Sequence, residues 1–239
     1  MSSCPTDQFL NNCKWPSRPL GQHSHTIPKW FDLPVYEPVW QHVSDWLSDS
    51  KPPKGTWCIT ASDGCGKTLL CNEIRKRHTS RRIKLFHAEF KAGLTITHAE
   101  LLQAWSKKIH PLVELPEWVK AGDKLKYWLS LAIESLTLQG YCVRLVVEAD
   151  RLDRQAADLA RQHKALFLCR SPFRGLTGTD SPILPPWSEG DIAEVLNQYG
   201  VESGDPGLEP GPIWNLTRGC PRDVIRLIES GKERYSVIS

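Results

Sequence analysis

The chain has 239 residues, 40% of them hydrophobic, which is enough for one α/β domain and a small appended subdomain. It carries 30 basic and 27 acidic residues, so a formal charge of +3 neither requires nor excludes a polyanionic partner. No stretch approaches the roughly 18 apolar residues of a membrane span, and the first residues lack the apolar core of a secretion signal. We therefore expect a cytoplasmic protein with no membrane partner.

Residues 1–28 are rich in Pro, Ser, Asn and His without a sustained period, which predicts a flexible N-terminal arm. The arm contains four soft metal ligands, Cys4, Cys13, His23 and His25. Without a CxxC pair, a flexible arm explains them better than a zinc site. Other cysteines lie in apolar, strand-like runs and are interpreted as reduced thiols: Cys58, Cys142 and Cys169.

Residues 29–185 alternate between apolar runs and helical segments. An amphipathic helix over 35–47 comes first. The strand candidates that follow are TWCIT, RIKLFHAEF, YCVRLVVEA and ALFLCR. The helical segments between them are TLLCNEIRKRH, THAELLQAWSKKIH, DKLKYWLSLAIESLTLQG and DRQAADLARQH. This alternation predicts a three-layer α/β domain, with a parallel sheet covered on both faces.

Residues 186–239 change character and predict a small helical lid subdomain. Ser188 is a suitable N-cap for a helix over 189–200. A loop rich in Gly and Pro is expected over 204–212, and a last helix begins at Pro221, because proline is tolerated at the first helical position.

The segment Ala61-Ser-Asp-Gly-Cys-Gly-Lys-Thr68 matches the P-loop pattern GxxxxGK[ST], except that Ala61 replaces the leading glycine. Gly64 and Gly66 allow the backbone N–H groups to face phosphates, and the following helix adds its positive end. Lys67 is expected to pair with the β and γ phosphates of ATP, and Thr68 to bind Mg²⁺. The expected nucleotide-binding residues are Ala61, Ser62, Asp63, Gly64, Cys65, Gly66, Lys67, Thr68 and Leu69.

An acidic residue at the end of a buried strand is the second expected element, and RLVVEAD supplies the catalytic candidates Glu148 and Asp150. Hydrolytic P-loop enzymes usually place an adjacent Asp-Glu pair here, one for the metal and one for water. Either Glu148 activates water and Val147 stands at the metal position, or Glu148 faces the metal and Ala149 stands at the water position. One role stays unfilled unless Asp150 or Asp63 substitutes, so the sequence favours binding over turnover. The expected metal ligands are Thr68 and Glu148.

Over roughly residues 34–230 the chain resembles the AAA+ ATPases, particularly the compact helper ATPases of DNA transposition and their relatives in secretion systems. Beyond the P-loop, the resemblance rests on FKAGLTITHAELLQAW, VEADRL, LPPWSEGDIAEVL and LTRGCPRDVIRLI. It implies an AAA+-like fold in which Arg222, in the GxPR element, reaches the γ-phosphate. It also implies a polar sensor at Ser171, with Arg170 as the alternative, and an arginine finger at Arg174, with Arg170 or Arg151 as alternatives.

We expect an ATP-dependent switch or assembly factor that acts on a DNA-processing or other multiprotein complex, with weak or partner-dependent hydrolysis. Two alternatives stay open: a competent, DNA-stimulated ATPase, and a non-catalytic interaction module on a degenerate AAA+ scaffold. The expected ligands are ATP and Mg²⁺, together with a protein partner or self-association. A basic cluster suits DNA phosphate contacts, although a solvated helix end explains it as well: Arg75, Arg77, Arg81 and Arg82.

Overall fold

The computed structural model describes residues 30–48, 56–78, 82–91, 93–114, 123–170, 181–201 and 208–236. The chain divides into two compact units, one of residues 34–185 and one that combines the residues before 34 with those from 186 onwards. The predicted N-terminal arm and its Cys and His ligands lie outside the described residues. Within the described residues, no helix combines the length and apolar character that crossing a bilayer requires.

The first unit is an α/β domain built on parallel strands. Its strands are β1 (Trp57–Ala61), β2 (Ile83–Glu89), β3 (Thr95–Ile96), β4 (Cys142–Glu148), β5 (Arg151–Leu152), β6 (Leu166–Cys169) and β7 (Ile183–Leu184). Its helices are α1 (Glu37–Leu47), α2 (Lys67–Arg77), α3 (His98–Ile109), α4 (Asp123–Leu138) and α5 (Arg154–Gln162). The main sheet has the order β2-β4-β6-β1-β7, and β3 pairs with β5 in a second sheet. The predicted α/β class with a parallel sheet is confirmed.

Strand burial explains this order. Every residue of β1 and of β6 is buried, as expected for neighbouring interior strands covered on both faces. β2 and β4 pair in parallel from Ile83 opposite Cys142 to Glu89 opposite Glu148, so their carboxyl ends are level. In the core, the fully buried Trp105 of α3 donates its indole N–H to Val146 O at 3.1 Å. Because β1, β6, β4 and β2 run parallel to one another, the carboxyl ends of β1, β2 and β4 lie at the same edge of the sheet.

The second unit contains the helices α6 (Glu189–Gln198), α7 (Pro210–Thr217) and α8 (Pro221–Ser236). The predicted cap is confirmed, because Ser188 Oγ accepts a hydrogen bond from Asp191 N at 3.2 Å. The prediction of a loop over 204–212 is wrong from Pro210 onwards, where α7 begins. Prolines in the first turn of a helix remove N–H groups that have no intrahelical acceptor, so they do not prevent α7 from forming.

Candidate functional site

The loop between β1 and α2 has the conformation that its glycines were expected to permit. Gly64 and Gly66 have φ angles of +80° and +90°, in the left-handed region that favours glycine. Cys65 N donates to Ser62 O at 3.3 Å, and Gly66 directly precedes α2. The first N–H groups of a helix have no intrahelical partner and carry the positive end of its dipole. The loop therefore leads into a helix start that suits an anion, in whose first turn Leu69 is half-buried.

Lys67 is held at the centre of this loop. Its side chain is 9% exposed, and its Nζ donates to the carbonyl oxygens of Ala61 at 3.1 Å and Ser62 at 3.3 Å. Carboxylate oxygens of Asp63 and Glu148 lie 3.8 and 3.9 Å from the same Nζ. A buried ammonium needs such compensation, because desolvation disfavours an unpaired charge. The position of the charge is thus set by the loop and by the end of β4.

Thr68 and Glu148 meet although 80 residues separate them in the chain. Thr68 Oγ1 lies 3.4 Å from Glu148 Oε2. Neighbouring ligands of an octahedral Mg²⁺ with bonds of 2.0–2.1 Å are about 2.9 Å apart, so this hydroxyl and carboxylate fit one Mg²⁺ after a small movement. The geometry favours the alternative in which Glu148 faces the metal and the buried Ala149 follows it at the water position.

Arg170, directly after β6, connects the two carboxylates that were considered as substitutes. Its Nη2 lies 2.7 Å from Asp63 Oδ2, and its Nε lies 3.4 Å from Asp150 Oδ1. Asp150 also accepts a hydrogen bond from Gly93 N at 2.8 Å. Arg170 and Asp63 are about half exposed, so their ion pair adds little stability. The ion pairs instead hold the carboxylates of Asp63 and Asp150 beside the same guanidinium.

Two residues at this edge were missed from the sequence, His87 and Glu89 of β2. One ligand atom from each of them and one from Glu148 lie within 4.8 Å of one another. Residues two apart on a strand share a face, so the pattern His-Ala-Glu at the end of RIKLFHAEF was the available signal. This pattern indicates a shared site only once β2 is known to pair with β4, which sets Glu89 opposite Glu148.

The remaining predicted site residues are Ser171, Arg174 and Arg222. Ser171 and Arg174 lie outside the described residues. Arg222 is in the first turn of α8 in the second unit, and its Nε lies 3.2 Å from Asp223 Oδ1. Gly219, which opens the GxPR element, has a φ of +71° and accepts a hydrogen bond from Trp187 N at 2.7 Å. The role of Arg222 towards a nucleotide stays a prediction from the resemblance.

The basic cluster after the P-loop is partly engaged within the domain. Arg75 donates to Asn72 Oδ1 at 2.8 Å and to Leu85 O at 3.0 Å. The guanidinium of Arg77 lies 4.1 Å from the centre of the Trp40 ring, and its Nε is 3.2 Å from Glu73 Oε1. Arg81 lies outside the described residues, whereas Arg82 is exposed. DNA contacts at this cluster stay a prediction, and Arg82 suits a test because, unlike Arg75 and Arg77, it belongs to none of the side-chain interactions just described.

No protein-family model and no curated protein matches the chain. Among solved structures, it is similar to Cdc6p from Pyrobaculum aerophilum, with a TM-score of 0.51 and 14% identity over 88% of this chain and 65% of that one. It is also similar to the ORC2 protein of Aeropyrum pernix in ADPNP–ADP complexes, with a TM-score of 0.52 and 14% identity over 85% of this chain and 62% of that one. The chain thus spans less than two thirds of either protein. At this identity the likeness shows the fold alone, which is that of AAA+ P-loop proteins.

Proposed function

We propose that the chain is a nucleotide-binding regulator that binds ATP with Mg²⁺ at residues 61–69 and changes conformation or assembly with its nucleotide state. The observation that carries this proposal is the convergence of Lys67, Thr68 and Glu148. Glu148 Oε1 is 3.9 Å from Lys67 Nζ, and its Oε2 is 3.4 Å from Thr68 Oγ1. A phosphate-binding cation, a metal-binding hydroxyl and a metal-binding carboxylate thus lie around the start of one helix.

Hydrolysis by this site is weak or depends on a partner. Ala149 occupies the place where a P-loop enzyme carries the carboxylate that orients water, and a methyl group does not accept a proton. Asp63 and Asp150, the nearby substitutes, are both paired with Arg170. Glu148 itself is needed for the metal. ATP therefore acts as a ligand that biases a conformational equilibrium, in proportion to its differential affinity for the two states.

The target is a DNA-processing complex of the transposition type or another multiprotein machine. The resemblance of VEADRL, LPPWSEGDIAEVL and LTRGCPRDVIRLI to the helper ATPases supports this target, and the AAA+ fold is compatible with it. A protein partner or self-association would receive the nucleotide signal, and Arg222 would report the γ-phosphate. If DNA is part of the complex, binding should weaken steeply with salt and on Arg82→Ala substitution.

The testing experiment measures ATP affinity and ATP turnover side by side, with and without double-stranded DNA. Lys67→Ala should weaken ATP binding roughly ten- to hundredfold, because hydrogen bonds to charged groups contribute about 1.5–3 kcal/mol. Lys76→Ala is the matched control, since Lys76 is an exposed lysine on the same helix, 3.7 Å from Glu73, and should leave affinity unchanged. Glu148→Gln should weaken ATP binding when Mg²⁺ is present but not when a chelator removes Mg²⁺.

Each result discriminates between the functions considered. Tight binding with little turnover supports the nucleotide-dependent regulator. DNA-stimulated turnover would instead identify a competent ATPase and contradict the argument from Ala149. Unchanged ATP affinity in Lys67→Ala, or partner binding that is indifferent to this substitution, would favour the non-catalytic interaction module.

A further inference from the structure

We propose that His87, Glu89 and Glu148 form a binding site for a divalent transition-metal ion, which we call the His–Glu–Glu site. It lies where β2 and β4 end side by side. Glu89 stands opposite Glu148 in the strand register, and His87 is two residues earlier on the same strand. One nitrogen or oxygen ligand atom from each side chain lies within 4.8 Å of the other two.

The state of the His87 side chain is an independent reason to place a cation here. This side chain is 9% exposed. Its Nε2 lies 3.2 Å from Glu148 Oε2, which is an ion pair only when the imidazole is protonated, and no described residue gives this nitrogen a hydrogen bond. A buried polar atom without a hydrogen bond destabilises the fold. A metal ion between the imidazole nitrogen and the carboxylates would satisfy this nitrogen and neutralise both acids.

The distance between the His87 and Glu148 side chains also fits a metal site. In a tetrahedral zinc site with Zn–N and Zn–O bonds of 2.0–2.2 Å, neighbouring ligand atoms are about 3.3–3.5 Å apart. The observed 3.2 Å between His87 Nε2 and Glu148 Oε2 is close to this value. Three protein ligands leave a fourth position for water or another donor, as in open zinc sites.

The ligand set selects the class of ion. Imidazole suits Zn²⁺, Fe²⁺ and related transition metals, whereas Mg²⁺ takes oxygen ligands almost exclusively. The His–Glu–Glu site therefore differs from the Mg²⁺ site proposed for the nucleotide, although Glu148 Oε2 faces both His87 and Thr68. Metal binding here needs no nucleotide, so the inference stands apart from the proposed ATP function and is tested without ATP.

The test uses Co²⁺ as a spectroscopic substitute for zinc, titrated into the full-length, metal-free and nucleotide-free protein under reducing conditions. The chain has eight cysteines, so the spectrum must separate thiolate ligands from nitrogen and oxygen ligands. Thiolate ligands produce charge-transfer bands in the near ultraviolet, and imidazole and carboxylate ligands do not. His87→Ala and Glu89→Gln should each weaken Co²⁺ binding at least about tenfold, since even outer-sphere partners of a metal contribute that much.

His110→Ala is the control, because this histidine is exposed and follows α3, outside the site. Glu89 is exposed, so Glu89→Gln keeps the test informative if His87→Ala fails to fold. We expect Co²⁺ binding without thiolate bands, displacement by Zn²⁺, and no displacement by excess Mg²⁺. The proposal is overturned if the wild type binds no Co²⁺, if thiolate bands appear, if Mg²⁺ displaces the ion, or if Glu89→Gln binds as tightly as the wild type.

Discussion

Replacing Gly219 by alanine tests how the start of α8 is built. Gly219 has a φ of +71°, and an added Cβ would overlap Trp187 O and lie 3.0 Å from Trp187 N and C. A left-handed φ costs about 1–2 kcal/mol for a residue with a Cβ. The overlap should also break the 2.7 Å hydrogen bond from Trp187 N to Gly219 O, which contributes about 1 kcal/mol. We expect the free energy of unfolding to fall by roughly 2–3 kcal/mol.

Gly200→Ala is a matched control in the same unit. Gly200 has a nearly equal φ of +67°, but an added Cβ would meet nothing within 4 Å. This substitution should therefore show the backbone strain alone, about 1–2 kcal/mol. Urea unfolding followed by circular dichroism measures both variants. If Gly219→Ala is no less stable than Gly200→Ala, the argument from the Trp187 contact is refuted.

Two further predictions concern stability. Asp153→Ala should lower the free energy of unfolding by about 1 kcal/mol, measured by urea unfolding, because Asp153 Oδ1 caps α5 by accepting a hydrogen bond from Ala156 N at 2.6 Å. Asp153→Asn retains an acceptor and should lose much less stability. Equal losses in the two variants would contradict the role of this cap. Burial holds the pKa values of His42 and His163 below their ordinary 6.5, so the unfolded chain binds protons more readily. The stabilisation that follows from these lowered pKa values is present above pH 6.5 and should be lost as the pH falls below 6.5. Urea unfolding at several pH values measures this change in the free energy of unfolding, and a free energy that does not vary with pH would refute the prediction.

Much of this protein can be predicted from its sequence, because the signals are local. The conformation of residues 61–68 depends on Gly64 and Gly66 and on the helix that begins directly after Gly66. Both features are visible in the sequence. The longer strands and helices were also predictable, since continuous apolar runs and helical spacing report burial directly. β3, β5 and β7 were not predictable, because two residues carry no period.

The neighbours of the acidic residues were decided by tertiary structure. From the sequence, Glu148 suited the metal or the water position, and only the folded chain shows that its carboxylate lies beside Thr68, 80 residues away, which favours the metal position. His87 and Glu89 belong to no recognised motif, and the sequence shows only that they share one face of a strand. They become candidate metal ligands because β2 pairs with β4 in a register that sets Glu89 opposite Glu148. Local sequence determines the shape of a loop, whereas the order and register of strands determine which distant side chains share a site.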